Sequence, residues 1–256
     1  MPLNRREFLN LAAAGIATGV LASTTSTHAA TESKIKAIAF DAFPILDPRP
    51  VFALAEQLFP GKGAELSNVW RTRQFEYQWL RVLSGQYADF WQTTEDSLVF
   101  AAELLKLDLT PDKRTKLMDA YLELKAWPDV PPVLELLKGA GIRLAFLSNA
   151  TPKILDAGIK HAGFENVFEH VLSTDKIKTY KPDPRAYQMA IDAFGLKKEE
   201  ILFVAFAGWD AAGAKSFGYT TFWVNRLNLP AERLGVSADG VGQNLNDLLS
   251  FVKARR

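Results

Sequence analysis

The sequence predicts an α/β fold: a Rossmann-like parallel sheet core with an inserted helical cap subdomain. Short apolar runs, each ending in polar residues, alternate with helical stretches, which is typical of buried strands in a parallel sheet. After the first run this alternation stops, and helical stretches follow one another without a strand as far as residue 127. At 256 residues, 48% of them apolar, the chain can bury one core and an inserted subdomain.

Residues 1–30 have the pattern of an export signal. Arg5 and Arg6 precede an apolar stretch over residues 11–22 that is too short to span a bilayer, and small residues follow it. We expect a twin-arginine signal peptide that is cleaved after Ala29, a periplasmic mature protein, and no stable membrane association after cleavage. The alternative is an uncleaved amphipathic or membrane-anchoring helix.

The predicted core comprises residues 31–47 and 128–256. Its clearest strands are four short apolar runs, at residues 35–40, 143–147, 201–206 and 221–224. Asp41 directly follows the first run, Ser148 and Asn149 follow the second, and Asp210 comes soon after the third. Because ligands bind beyond the carboxyl ends of the strands in open parallel sheets, these side chains should converge at one edge of the sheet.

The predicted cap spans residues 48–127 and contains about four helices. Helical spacing covers residues 51–59, 65–83, 89–105 and 111–124. In the second of these helices Arg71, Phe75 and Trp79 recur at i, i+4 and i+8, which places a guanidinium beside aromatic rings on one face. The alternative interpretation of this face is core packing, with Arg71 extending its charged end to solvent.

The composition limits the ligands and the catalytic groups that the chain can use. A formal net charge of +1 gives no strongly basic field, so we expect a small-molecule ligand and no nucleic-acid partner. The absence of cysteine excludes thiol nucleophiles, disulfides and thiolate metal sites, and only three histidines are present. A histidine-rich metal centre is therefore disfavoured as well.

Several segments, in the same order, resemble the haloacid dehalogenase superfamily and, within it, the type II (S)-2-haloacid dehalogenases. They are FDAFPILD at 40–47, WRTRQFEYQWLR at 70–81, LSNATP at 147–152, YKPDPRAY at 180–187 and WDAAGAKSFG at 209–218. The resemblance covers nearly all of the chain from residue 35 onward. Any one segment alone would be a weak signal, but their common order makes chance agreement improbable.

The resemblance implies a hydrolytic dehalogenase of small 2-haloalkanoic acids that uses no metal and no cofactor. Asp41 would attack the carbon that bears the halogen, displace halide and form an aspartyl ester. Water would then attack the aspartyl carbonyl, releasing the 2-hydroxy acid with inverted configuration. Lys181 would neutralise the carboxylates around Asp41, and Asp210 would position or deprotonate the water. Arg71 would contact the substrate and the departing halide.

The resemblance also implies a substrate-binding set. Ser148 would bind the substrate carboxylate, Asn149 would position the substrate or the halide, and Tyr187 would support the carboxylate cluster. An apolar wall would surround the substrate, formed by Phe43, Phe75, Phe90 and Trp209. The chemistry agrees with these residue types, because a carboxylate held in a dehydrated pocket next to a cation stays ionised and can act as a covalent nucleophile. We also expect a homodimer.

Phosphatases of the same superfamily provide a rival interpretation. They use the same aspartate at the end of the first strand, but they usually carry a second aspartate two residues later and a further acid that completes a magnesium site. Phe43 occupies that second position here. With neither a proton donor for the leaving group nor an oxygen-rich metal shell, phosphoryl transfer is disfavoured.

Some positions depart from the dehalogenase pattern. Pro44 and Ile45 stand where the family usually has glycine and threonine, and Ala205 and Ala207 stand where it usually has serine and asparagine. Because these polar groups would support the nucleophile and the water, hydrolysis of the ester should be the slow step. The losses leave two further alternatives: a non-catalytic exported domain that binds a small acid, and a divergent hydrolase acting on another activated carbon.

Overall fold

A computed structural model describes residues 34–255, so the predicted signal peptide lies outside the described residues. The strands, numbered in chain order, are β1 (Ala37–Phe40), β2 (Leu46–Asp47), β3 (Lys125–Ala126), β4 (Arg143–Ser148), β5 (His170–Ser173), β6 (Ile201–Ala205), β7 (Thr220–Val224) and β8 (Gly240–Gly242). The central sheet has the order β5-β4-β1-β6-β7-β8, and every neighbouring pair in it is parallel. The predicted α/β fold is therefore confirmed.

Strand β1 lies at the centre of this sheet. Phe40, its last residue, is in register with Phe146 of β4 on one side and with Val204 of β6 on the other. From β1 the chain first builds the β4–β5 side of the sheet and later crosses to the β6–β8 side. Such a reversal of strand order opens a crevice beyond the carboxyl ends of the strands. Asp41, the residue that follows β1, is therefore placed at the crevice.

Helices cover both faces of the sheet. The core helices are α5 (Val130–Gly139), α6 (Pro152–Ala162), α7 (Pro184–Phe194), α8 (Gly208–Phe217) and α9 (Leu245–Lys253). Ile38 and Phe40 of β1 face one hydrophobic cluster, while the alternate residues Ala37 and Ala39 face the other. This alternation is the period of two that a strand imposes, and here both faces are buried. No helix in residues 34–255 has the length and apolar character needed to cross a membrane.

Four further helices, which we call the cap helices, lie between β2 and β3. They are α1 (Arg49–Leu58), α2 (Gly63–Leu83), α3 (Phe90–Leu104) and α4 (Pro111–Asp119). The side chains of Asp89 and Thr110 cap α3 and α4 by accepting from backbone N–H groups of the first turns. Strands β2 and β3 pair in antiparallel fashion and join these helices to the core. The exact domain limits at residues 47 and 128 stay a prediction.

Candidate active site

Three buried ionisable side chains meet at the carboxyl ends of the central strands. Lys181 Nζ donates to Asp41 Oδ1 at 2.8 Å and to Asp210 Oδ2 at 2.6 Å. Lys181 and Asp210 are each 1% exposed, and Asp41 is 8% exposed. A buried charge is tolerated when it is paired, so the three groups depend on one another for their ionised forms. Two carboxylates and one ammonium leave this cluster with a net charge of −1.

The protonation of the cluster follows from burial and from its internal charges. Burial raises the pKa of Asp210 to about 6, with Lys181 opposing the rise and Asp41 adding to it. Burial disfavours the ammonium form of Lys181, but Asp210 and Asp41 outweigh that effect and raise its pKa. Lys181 therefore stays charged, while Asp210 can exchange a proton near neutral pH.

Tyr187 fixes the second oxygen of Asp210. Its hydroxyl, in α7, donates to Asp210 Oδ1 at 2.8 Å, and its pKa is raised well above the ordinary value by burial and by the Asp210 charge. A Cβ on Gly213 would lie 2.5 Å from that hydroxyl and 2.7 Å from Pro182, so only glycine allows α8 to approach Tyr187 this closely. The predicted support of the carboxylate cluster by Tyr187 has this geometric basis.

Ser148 is the last residue of β4 and Asn149 follows it, so both lie at the same edge of the sheet as Asp41. Asn149 Oδ1 accepts from the backbone N–H of Lys181 at 2.9 Å and from Thr174 at 3.3 Å, which ties Asn149 to the loop that carries the lysine. Ser148 Oγ accepts from the backbone N–H of Ala150 at 3.1 Å. In the described chain no acceptor is bonded to the Ser148 hydroxyl hydrogen, which leaves it available to a ligand.

The motifs around these residues also have local structural roles. In LSNATP, Thr151 caps α6 and Pro152 occupies its first position. In YKPDPRAY, Asp183 caps α7 and Pro184 occupies its first position. Proline is favoured there because its missing N–H has no helical partner to lose. Much of each motif therefore specifies the start of a helix. The position of that start places Ser148, Asn149 and Lys181 at the small cavity that lies against Asp41.

A small cavity lies against Asp41. It encloses about 30 Å³ and is lined by Asp41, Phe43, Phe75, Gln78, Phe90, Ser148, Asn149, Ala150, Lys181, Phe206, Ala207, Trp209 and Asp210. The four aromatic residues predicted to surround the substrate, Phe43, Phe75, Phe90 and Trp209, are among these lining residues. A volume of this size holds on the order of one water molecule, so a substrate enters only if wall side chains move. Outside it lies an apolar groove of about 810 Å³, and Trp209 lines both spaces.

Contacts from α2 close the cavity over the core. Trp79 Nε1 donates to the carbonyl of Lys181 at 3.2 Å. The indole of Trp79 packs edge-on against Trp209 with ring centroids 5.4 Å apart, and Phe75 packs against the same indole at 5.3 Å. These aromatic contacts cover the small cavity beside Asp41, which is only 8% exposed.

Arg71 lies outside the residues that line the cavity. Its guanidinium sits over the ring of Phe52 at 5.3 Å, and burial lowers its pKa. In the described part of the chain no carboxylate pairs with it. By contrast, Arg73 on the same helix pairs with Glu76 at 2.8 Å and Arg81 pairs with Asp96. Arg71 is therefore a partly buried cation that lacks a counter-ion.

The residues that depart from the dehalogenase pattern fit into the fold in two ways. Ile45 and Ala205 are fully buried. Ala207 occupies the N-cap of α8 and has no side-chain acceptor to offer the first turn. Asp210 lies in that turn, where the positive end of the helix dipole favours a carboxylate. The backbone of α8 thus still supports Asp210 where the polar side chains are missing.

Metal-binding geometry is lacking in the region that the structure describes. Across residues 34–255 no group of three or more histidine, aspartate or glutamate side chains is placed to hold a metal ion. The cation that contacts both Asp41 and Asp210 is the Lys181 ammonium. The positive charge beside Asp41 is therefore supplied by the chain itself.

The site can be compared with known proteins. The model of the haloacid dehalogenase-like hydrolases matches residues 17–218. The chain belongs to this hydrolase family. The (S)-2-haloacid dehalogenase of Pseudomonas sp. (strain YL) is 45% identical over 206 residues, which are 80% of this chain and 89% of that protein.

Solved structures of this hydrolase family are also similar. One L-2-haloacid dehalogenase aligns with a TM-score of 0.85 and 44% identity, covering 86% of this chain and all of that one. The L-2-haloacid dehalogenase of Xanthobacter autotrophicus with chloropropionic acid covalently bound aligns with a TM-score of 0.78 and 32% identity, covering 87% of this chain and all of that one. The alignment covers both the sheet and the cap helices.

Four residues that line the cavity of this hydrolase were not among the predicted site residues: Gln78, Ala150, Phe206 and Ala207. Gln78 follows Arg71 by seven residues and Phe75 by three, so the helical spacing already applied to Arg71 would have placed it on the same face. Phe206 lies between Ala205 and Ala207 and packs on Phe43 with ring centroids 6.0 Å apart. It fills space next to two small residues.

Proposed function

We propose that the chain is a hydrolytic dehalogenase of small 2-haloalkanoic acids that works through an ester on Asp41. The proposal depends most on the hydrogen bonds made by the two carboxylate oxygens of Asp41. Oδ1 is held by the buried Lys181 ammonium, while Oδ2 accepts a single long bond, 3.3 Å, from the backbone N–H of Phe43. Oδ2 is thus the less engaged oxygen, and it stands in an apolar cavity where a carboxylate is a stronger nucleophile than in water.

The first half-reaction is a displacement. A bond forms between Asp41 Oδ2 and the carbon at position 2 as the carbon–halogen bond breaks, and the bonding pair leaves with the halide. Attack from the side opposite the halogen inverts that carbon. The free hydroxyl hydrogen of Ser148 is available to the substrate carboxylate during this step.

The second half-reaction is hydrolysis of the ester. Water attacks the carbonyl carbon of Asp41 and its proton passes to Asp210. The bond between that carbon and the ester oxygen then breaks, and Asp210 returns the proton to the leaving oxygen, so the 2-hydroxy acid carries the oxygen that came from Asp41. An Asp210 whose pKa is about 6 is mostly a carboxylate at neutral pH and can accept that proton. Lys181 remains within bonding distance of the oxyanion that forms on Asp41.

The net negative charge of the site gives Arg71 a role in the proposed reaction. The Asp41, Lys181 and Asp210 cluster has a net charge of −1, and the substrate brings another negative charge. Arg71 lies on the same cap helix as the cavity residues Phe75 and Gln78 and has no carboxylate partner in the described residues, so its guanidinium can offset the charge that develops on the departing halide. Because Arg71 does not line the closed cavity, this role, which the resemblance implies, requires the guanidinium to move toward Asp41 when the wall side chains move to admit substrate.

Halide release tests the proposal. The purified protein is expected to release chloride from one enantiomer of 2-chloropropionate and from chloroacetate, and to do so after extensive treatment with EDTA. The 2-hydroxy acid formed should have the opposite configuration to the acid consumed. Turnover that EDTA abolishes and magnesium restores, or a generic phosphate ester that proves the better substrate, would instead support the phosphatase alternative.

A non-catalytic small-acid binder is the second candidate, and Ile45, Ala205 and Ala207 favour it. All three stand where the family pattern usually has a polar side chain, and Ala207 lines the cavity. Binding of propionate without release of halide from any 2-halo acid would favour this candidate. Because Asp41, Lys181 and Asp210 are all retained as a paired buried cluster, we prefer the enzyme.

Export is a further part of the proposal, supported by the Arg5 and Arg6 pair ahead of a short apolar stretch. The mature protein is expected in the periplasm without residues 1–29, and Arg5→Lys combined with Arg6→Lys should block its export. Intact-mass measurement of periplasmic protein checks both. Full-length protein there, or export of the double variant at the normal level, contradicts the idea. The homodimer stays a prediction.

A further inference from the structure

Gln78 has an unused hydrogen-bond donor at the cavity. It lies in α2, its side chain is fully buried, and it lines the same cavity as Asp41 and Ser148. Its Nε2 is inaccessible to solvent and has no hydrogen-bond partner in the described residues. A buried donor without a hydrogen-bond partner destabilises the fold, so the presence of this one needs an explanation.

The orientation of this amide follows from a backbone donor. The N–H of Lys181 can only donate, so the atom of Asn149 that it contacts at 2.9 Å must be the oxygen. The Asn149 amide nitrogen therefore points toward Gln78, and it donates to Gln78 Oε1 at 2.9 Å. With its oxygen engaged by Asn149, Gln78 must direct its NH₂ group elsewhere. The chain of bonds from Lys181 thus fixes which end of Gln78 is free.

The neighbouring groups indicate which ligand would use this donor. The Ser148 hydroxyl also has a free hydrogen, and Ser148 directly precedes the asparagine to which Gln78 is bonded. Trp209 Nε1 is a further buried N–H on the cavity wall without a partner. A carboxylate accepts several hydrogen bonds at once, whereas its own oxygens donate none. A wall with several unpaired donors therefore suits a carboxylate.

We propose that Gln78 Nε2 donates to the carboxylate of the substrate, beside the Ser148 hydroxyl, and so selects acids over their neutral amides. The proposal rests on the function proposed above and adds a substrate-contacting residue to it. Asn149 then acts through Gln78 as a positioning residue, because its amide fixes the glutamine. The same bond joins α2 of the cap helices to Asn149, the residue that follows β4 of the core, so the proposed carboxylate contact lies where the cap helices meet the core.

Two substitutions at Gln78 and one control test the assignment. Gln78→Met removes the donor at similar length, and Gln78→Glu keeps an oxygen for Asn149 while replacing the donor by an acceptor. Gln74→Met is the matched control, since Gln74 is a buried glutamine one turn earlier whose Nε2 bonds Thr94 and which does not line the cavity. Melting temperatures of all three report any loss of folding.

Binding is measured without turnover, by calorimetry with propionate and with propionamide. We expect both Gln78 variants to weaken propionate binding by about ten- to a hundredfold, the range for a hydrogen bond to a charged group. Propionamide binding should change much less, and Gln74→Met should bind propionate as the wild type does. For 2-chloropropionate the KM should rise by a similar factor while kcat changes less.

The outcomes separate the two proposals. If the wild type binds propionate and both Gln78 variants bind it equally well, or if Gln74→Met loses the same affinity, the role of Gln78 is wrong whatever the halide assay shows. Failure of the wild type to bind propionate also overturns it. If propionate binding depends on Gln78 but no halide is released, the carboxylate site stands and the dehalogenase proposal fails.

Discussion

Asp41→Asn is expected to abolish halide release. The amide lacks the negative charge that displaces halide, and it also loses the ion pair to Lys181 at 2.8 Å. Lys181 keeps Asp210 as a partner at 2.6 Å, so the ammonium is not left alone and the fold should persist. Asp47→Asn is a suitable control, because Asp47 lies nearby in the chain but pairs with Arg49 at the surface. Chloride release and melting temperature are the measurements.

Isotope labelling shows which carbon the water attacks. In a single turnover in heavy-oxygen water with enzyme in excess, label is expected in the Asp41 carboxylate and not in the first product molecule. This follows because water attacks the Asp41 carbonyl, while the product keeps the original Asp41 oxygen. Mass spectrometry of a peptide containing residues 40–47 reads the label. Label that appears directly in the 2-hydroxy acid means that water attacks the substrate, and then Asp41 is not the nucleophile.

The pH at which the single turnover runs, before the acid quench, tests the role of Asp210. Burial and the Asp41 charge raise its pKa to about 6 in the free enzyme, and the Asp41 contribution is lost in the ester, so its pKa there is lower than in the free enzyme. Lowering the pH through that value protonates Asp210 and removes the acceptor for the proton of water. Formation of the ester does not require that acceptor. The ester should therefore accumulate as the reaction pH falls to values below about 6, and acid quenching should reveal a growing mass increase on the 40–47 peptide. An ester level that stays constant from pH 8 down to about pH 4, the ordinary range of an aspartate, would mean that another group takes the proton.

The parts of the fold that the sequence predicts best are the buried central strands. β1, β4, β6 and β7 are nearly continuous apolar runs, because both of their faces are covered by helices. The edge strands β5 and β8 were not predicted. They are short and only partly buried, so they lack that run, and β8 includes two glycines. Their pairing is decided by neighbouring strands and not by local pattern.

In the candidate site, too, some residues could be placed from the sequence and others could not. Topology alone brings Asp41, Ser148, Asn149 and Asp210 to one edge, because each follows a parallel strand. The position of Lys181 between the two carboxylates could not be derived from strand ends, and only the family resemblance indicated it. Hydrogen-bond partners across distant segments, such as Gln78 with Asn149, have no periodic signal in the sequence, so their pairing required the structure.

Helix packing also explains why the fourth cap helix is shorter than predicted. The spacing indicates a helix over residues 111–124, but α4 ends at Asp119 and a 3-10 turn, Ala120–Leu122, follows. Tyr121 in that turn is buried and packs edge-on against Trp70 and Phe90. Tertiary packing of one aromatic ring thus overrides the local helical spacing.

Arg71→Ala is expected to lower kcat/KM for 2-chloropropionate by about a hundredfold or more, as when one preorganised electrostatic contact is removed. Unlike Arg73, which is paired with Glu76, Arg71 lacks a carboxylate partner among residues 34–255. Its cation is therefore free to offset the charge of the departing halide. Arg71→Lys keeps a charge without the planar guanidinium and should recover part of the rate.

Arg73→Ala is the matched control, because Arg73 belongs to the same helix but pairs with Glu76 and lies over the ring of Phe100 at 4.2 Å. Its loss should leave the rate nearly unchanged. The melting temperature of Arg71→Ala should fall little, since the substitution removes an unpaired, partly buried charge whose pKa burial already lowers. If Arg71→Ala keeps the wild-type rate, as Arg73→Ala is expected to do, then the guanidinium only packs on Phe52 and takes no part in the departure of the halide.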